Sequence, residues 1–197
     1  MTVEMQPISH NQPISVEEFD ALPVDNSLIY EIENGLLLVN ARPAPPHSRA
    51  IVRLAAQINA QLPAEWEALP ELEAELPVGD SQRRVPDLVI APDEVDEQTR
   101  VRSDQIALAI EIASSGESAL RDYSMKSSEY AANGIAHYWV IDLLDVEHAA
   151  VGLTIFVLGD NGRYTIQPRV TGTVRVDEPF PLVIDLDALS TKRKTEG

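Results

Sequence analysis

The eight residues Ile106-Ala-Leu-Ala-Ile-Glu-Ile-Ala113 hold one carboxylate inside an otherwise apolar run. An apolar run this short, bounded by polar segments, reads as a buried strand. Side chains alternate across a strand, so Leu108, Ile110 and Ile112 share one face and Ala109, Glu111 and Ala113 the other. An unpaired charge there costs several kcal/mol unless a partner side chain or a metal compensates it. The neighbours of Glu111 on its own face are small. They leave room above the sheet for a ligand, a metal, or a pairing Arg or Lys.

The rest of the chain predicts a mixed α/β domain, a central sheet flanked by helices. Ser15 and Glu18 have capping-box spacing, and Ile14 with Phe19 stand at hydrophobic-staple positions, so a short helix starts there and stops near Pro23. Residues 28–33 and 36–39 around Asn34-Gly35 predict a hairpin. The prolines at 43, 45 and 46 are read as a break, followed by a helix from about 48 to 62 with Ile51, Leu54, Ala55, Ile58 and Leu62 on its core face. Residues 69–78 are expected to be one extended strand, 85–90 a short apolar strand, and 92–104 a polar loop. Beyond Glu111, Ser114-Ser115-Gly116 caps a helix over about 117–132 that closes at Asn133-Gly134. A strand at 137–142, a late hairpin of 153–158 with 164–170, and an apolar segment at 182–184 follow. The domain is expected to occupy 13–190, with a flexible stretch at 1–12 and a disordered tail at 191–197.

Composition narrows the function classes. A chain of 197 residues with 44% apolar side chains can bury one real core. It has no cysteine, so it forms neither disulfides nor thiolate metal sites. No apolar run approaches the roughly 20 residues of a membrane span. The segment MTVEMQPISHNQ lacks the basic and apolar regions of a signal peptide, and a cytoplasmic protein with no membrane partner is the expectation. The net charge of -17 counts against a broad nucleic-acid-binding surface, though not against a small basic groove.

Asp87 is the lone acid of its apolar strand, directly after Pro86. On neighbouring strands Asp87 and Glu111 would repel unless a cation lay between them. A hard divalent ion such as Mg²⁺ takes oxygen ligands of this kind. Each acid alone has a plainer reading, Asp87 bonding backbone amides and Glu111 pairing with an Arg or Lys. Lys126 lies four residues after Asp122 and four before Tyr130, so the three share a helical face. That spacing also suits an exposed Asp-Lys pair. Near metal-bound carboxylates, the lysine would instead orient a water or stabilise phosphate charge.

Pro86-Asp87, Glu111 and a following lysine resemble the PD-(D/E)XK nuclease superfamily. More narrowly, the chain resembles the Uma-type family of restriction-endonuclease-like proteins. The resemblance rests on Tyr30-Glu31 with Gly35, on His47, and on Val85-Pro86-Asp87-Leu88-Val89. It continues through Glu111-Ile112 with Ser114, the Asp122, Lys126, Tyr130 series, and Gly134-Ile135 leading to Tyr138-Trp139-Val140-Ile141-Asp142. It implies a restriction-endonuclease-like mixed central β-sheet flanked by helices, with an additional β-hairpin. It also implies Mg²⁺-dependent phosphodiester hydrolysis, with Mn²⁺ as a substitute. Asp87 and Glu111 would hold the metal, Glu31 would complete its shell, and His47, Asp122 and Tyr130 would be accessory. Lys126 would stand in for the superfamily's lysine, which elsewhere lies two residues after the glutamate, where this chain has Ala113. The chain departs from the family pattern at Leu36, where an acid is frequent, and at Ser114-Ser115-Gly116, where Ser-Pro-Ser is usual.

The expected function is a Mg²⁺-dependent endonuclease acting on nucleic acid, DNA in particular, with Arg83 and Arg84 contacting phosphates, helped by Arg49 and Arg121. A homodimer is expected, because the late strands are rich in Val, Ile and Phe and two strands of a duplex need two sites. The competing class is a catalytically inactive binding or assembly module on the same fold, which the acidic charge favours. A hydrolase of small phosphate compounds is a third reading.

Overall fold

The computed structural model describes residues 11–190 apart from 24, 26, 81, 114–121 and 144–149. The expectations for residues 1–10, the Ser114-Ser115-Gly116 cap, the helix start at 117, Arg121 and the tail at 191–197 lie outside the described residues.

The chain opens with α1 (Val16–Asp20), the hairpin β1 (Leu28–Glu33) and β2 (Leu36–Ala41), and α2 (Pro45–Asn59). Next come β3 (Trp66–Pro70), β4 (Ala74–Glu75), β5 (Arg83–Arg84), β6 (Leu88–Pro92), β7 (Val101–Arg102) and β8 (Leu108–Ala113). A π-helical turn (Asp122–Lys126) runs into α3 (Ser127–Ala132) and then β9 (His137–Asp142), β10 (Gly152–Leu158) and β11 (Tyr164–Ile166). The last elements are β12 (Val170–Thr171), β13 (Thr173–Val176), β14 (Leu182–Asp185) and α4 (Asp187–Ser190).

The central sheet runs β11-β10-β9-β8-β6-β3, with β12 also on β10. The β8–β9 pair is parallel and its neighbours are antiparallel. The alternation read from residues 106–113 is realised. Leu108, Ile110 and Ile112 pack with Ile51, Leu54 and Ile58 of α2 and Leu189 of α4. Ala109 and Ala113 belong to the opposite layer with Tyr130, Tyr138 and Val140. Each fully buried Leu or Ile stabilises by about 1.5–3 kcal/mol, so α2 is held by its apolar stripe. Among the described residues no helix is long and apolar enough to cross a membrane.

A smaller sheet, β2-β1-β5-β4-β7, stands beside the central one. Asn34 and Gly35 both have positive φ, 51° and 73°, the requirement of a two-residue type I′ hairpin. The capping box of α1 is present, Ser15 accepting from the Glu18 amide at 3.2 Å and Glu18 accepting from the Ser15 amide at 2.9 Å.

Four local expectations change. α2 starts at Pro45 rather than near 48 and ends at Asn59. A proline in the first turn loses no helical hydrogen bond and has its φ already set, so the prolines start the helix as well as ending the loop. The expected single strand over 69–78 is broken at Glu71, whose φ is 50°, leaving β3 and β4 in different sheets. Part of the expected loop at 92–104 is β7, paired parallel with β4. β13, unforeseen, pairs with β14 from Thr173↔Asp185 to Val176↔Leu182. The apolar side chains of the late strands, Leu153, Ile155, Leu182 and Ile184 among them, are buried in this chain's own core.

Candidate active site

Asp87 immediately precedes β6, and Glu111 lies on its neighbour β8. Leu88 pairs with Ile110, so one further step of the same antiparallel register sets Asp87 opposite Glu111. The Asp87 carboxylate is fixed at both oxygens. Oδ2 accepts the Ile112 amide at 2.6 Å, and Oδ1 lies 2.9 Å from His47 Nε2. His47 reaches it from the first turn of α2. Burial lowers the imidazole pKa, but the hydrogen bond and charge of Asp87 outweigh this and leave it raised.

Glu111 is 3% exposed. Its Oε1 accepts the Tyr130 hydroxyl at 2.8 Å, and its Oε2 lies 2.8 Å from Lys126 Nζ. The same ammonium is 3.4 Å from Asp122 Oδ1. The predicted face of Asp122, Lys126 and Tyr130 therefore exists, but it crosses from the π turn into α3. Such widened turns recur at functional sites. The Tyr138 hydroxyl donates to the Asp122 carbonyl at 2.9 Å, tying the turn to β9.

Glu31 comes from β1. Its Oε1 accepts the Val85 amide at 3.0 Å and its Oε2 accepts the Asn40 side-chain amide at 3.2 Å. Asn40 was not singled out from the sequence. Its signal is an amide ending an apolar strand, diagonal to Glu31 across the hairpin register.

The electrostatics follow from burial. Burial pushes the Glu111 carboxyl well above its ordinary range; Lys126 opposes this, while Asp122 and Asp87 push it further. Burial raises Asp122 as well, again against Lys126. Burial would lower Lys126, yet Glu111, Glu31, Asp122 and Asp87 together hold it raised and charged. Two carboxylates, Glu111 and Asp122, thus lie within 3.4 Å of one buried ammonium, and Glu31 and Asp87 line the same cavity.

Glu31, His47, Asp87, Glu111, Asp122 and Lys126 all line one cavity of about 550 Å³, with Asn40, Arg49, Pro43, Pro46 and Leu143 also on its wall. Tyr130 stands behind Glu111. Arg83 and Arg84 are not among the lining residues. Arg84 is fully buried, donating to both Glu129 oxygens at 2.8 and 2.7 Å and to Glu33 at 3.0 Å, with Glu31 at 3.8 Å. Arg83 faces Asp20 and Glu75, each at 3.4 Å, and Glu73 at 3.6 Å. As placed, both guanidiniums neutralise the chain's own acids.

Among the described residues no three His, Asp or Glu side chains are already grouped as a metal cage. The donor chemistry nevertheless fits a hard cation. The facing groups are carboxylate oxygens, their negative charge exceeds that of the cations among them, and a cationic Nζ already lies between Glu111 and Asp122.

A mixed sheet that presents an aspartate and a glutamate from adjacent strands to a helical lysine defines a restriction-endonuclease-like α/β protein. Residues 16–188 match the Uma2 family, described as "Putative restriction endonuclease", and the chain belongs to that family. A crystal structure of a "putative nuclease belonging to DUF820" from Anabaena variabilis ATCC 29413 has a similar fold, with a TM-score of 0.63 at 18% sequence identity, over 90% of this chain and 97% of that one. No curated protein matches the chain.

Proposed function

We propose that this protein is a Mg²⁺-dependent endonuclease that hydrolyses phosphodiester bonds, with DNA as its substrate. The observation that carries the reading is that Glu31, Asp87, Glu111 and Asp122 line one cavity together with Lys126, whose ammonium pairs with Glu111 and Asp122. Buried carboxylates in such excess call for further positive charge. Asp87 and Glu111 would hold the ion, with Glu31 and Asp122 beside them, and a bound Mg²⁺ supplies charge stabilisation at a phosphate oxygen and acidifies water. The chain's own residues do the positioning. The Ile112 amide and His47 fix the Asp87 carboxylate, and the Tyr130 hydroxyl fixes Glu111. An ammonium has three N–H donors. With two directed at Glu111 and Asp122, the third would serve a water or phosphate oxygen in the cavity.

Calorimetric titration of Mn²⁺ into wild type, Asp87→Ala and Glu111→Ala tests this. Saturable binding lost in both variants, with the fold intact, is expected; binding untouched by either change overturns the site. The reading includes a homodimer, since two strands need two sites, and a monomeric mass by light scattering would remove that part. One other reading has specific support. The charge of -17 and the internal pairing of Arg83 and Arg84 favour a binding or assembly module with an idle site. Wild-type protein that takes up no Mn²⁺ even with duplex DNA present would favour it.

A further inference from the structure

Cations are scarce in this chain, 15 Lys and Arg against 32 Asp and Glu, and its own acids claim many of the described arginines. Arg42, Arg83, Arg84, Arg100, Arg102 and Arg169 each lie beside a carboxylate. Arg53 donates to the Ala188 carbonyl at 2.7 Å. On the cavity wall, Lys126 serves Glu111 and Asp122, and His47 serves Asp87. Arg49, Arg163 and Arg175 have no carboxylate partner among the described residues, and of the three only Arg49 lines the cavity. It is half-buried and shares its cavity with Glu31, Asp87, Glu111 and Asp122. A guanidinium on this wall with no ion pair among the described residues leaves its donors for an acceptor from outside.

We infer that Arg49 binds a backbone phosphate of the DNA substrate, next to the phosphate that meets the cavity carboxylates; this rests on the nuclease reading for the identity of the reacting group. Three features of the wall support it. Guanidinium presents a planar fork of donors that matches two phosphate oxygens. Ala44, Pro46 and His47 bring the N-terminal end of the 15-residue α2 to the cavity, and the positive end of a helix dipole favours an anion there. Pro45 and Pro46 have no N–H to offer, and the His47 and Ser48 amides both donate to the Ala44 carbonyl at 3.0 and 3.1 Å. The first turn therefore leaves phosphate binding to a side chain, and Arg49 is the one available. A local contact of this kind also reconciles DNA binding with the overall charge, because only the cavity rim needs to be cationic.

The test is fluorescence anisotropy of a labelled DNA duplex with the full chain, Ca²⁺ replacing Mg²⁺ so that binding is read without turnover. Wild type, Arg49→Ala and Arg49→Lys are compared over a salt series. Arg49→Ala is expected to weaken binding about tenfold and to reduce the slope of log affinity against log salt by about 0.9, the loss of one phosphate contact. Arg49→Lys restores the slope but not the full affinity, a split that a packing defect would not give. Matching thermal melts confirm that the variants fold, as expected for a side chain without an internal ion pair. Arg49→Ala binding duplex as wild type does, at an unchanged salt slope, overturns the inference. So does wild type that binds no duplex but binds a mononucleotide with an affinity that Arg49→Ala reduces, which would assign Arg49 to a small phosphate. Mn²⁺ titration of Arg49→Ala separates the two levels. Metal uptake intact with DNA binding unchanged removes this assignment alone, whereas no metal uptake in wild type even with duplex DNA present removes the nuclease reading.

Discussion

Arg84 offers the sharpest test of how charge is arranged in this molecule. Its guanidinium is fully buried and makes three charged hydrogen bonds, at 2.8 and 2.7 Å to Glu129 and 3.0 Å to Glu33. Arg84→Met keeps much of the volume and removes the charge, stranding both carboxylates and leaving Glu31 without a cation at 3.8 Å. Breaking a buried pair from one side costs about 3–5 kcal/mol. For a chain of 197 residues that corresponds to a fall in Tm of about 6–20 °C, at about 2–4 °C per kcal/mol. Thermal melting followed by circular dichroism reads it directly. The loss should persist at high salt, because a buried pair is poorly screened. Adding Glu129→Leu should recover part of it, since a pair replaced by apolar groups can be nearly neutral. An Arg84→Met protein that melts with wild type but binds DNA more weakly would refute the structural assignment and restore the phosphate-contacting role expected from sequence.

The remaining expectations are smaller. Tyr130→Phe removes the donor to Glu111 Oε1 and should cost about 2 kcal/mol in urea unfolding, with saturating Mn²⁺ returning part of the loss; no effect of Mn²⁺ would count against Glu111 as a ligand. Gly35→Ala meets no atom within 4 Å, so its cost is backbone strain at φ +73°, about 1 kcal/mol, seen as a lower urea midpoint at unchanged slope. Burial holds the Tyr164 phenol above its ordinary 10.0, and its hydroxyl donates to the Ile135 carbonyl at 2.7 Å. The folded state keeps that proton after the unfolded chain has released it, so the contribution is complete below the unfolded pKa and is lost as pH rises above it. Tyr164→Phe should therefore lose stability less steeply than wild type between about pH 9 and 11; equal slopes would show that this phenol does not report burial.

Much of this architecture follows from local rules that act over a few residues. Period-two alternation across 106–113 placed Glu111 opposite the leucine and isoleucines. Asn34-Gly35 demanded its turn, and the Ser15–Glu18 box its helix start. Two-residue strands such as β4 and β7 carry no such period, and their pairing arises only where the tertiary fold brings their edges together. The candidate site divides in the same way. That Asp87, Glu111 and Lys126 belong together was legible as an ordered series resembling a family. Which arginine faces the cavity was not. Arg84 is claimed by acids 45 and 51 residues away in the chain, while Arg49 lines the cavity with no carboxylate partner among the described residues. The sequence by itself determined the longer strands and helices and where each carries its charge. Only the folded chain decided which charges neutralise one another, because that depends on distances the fold creates.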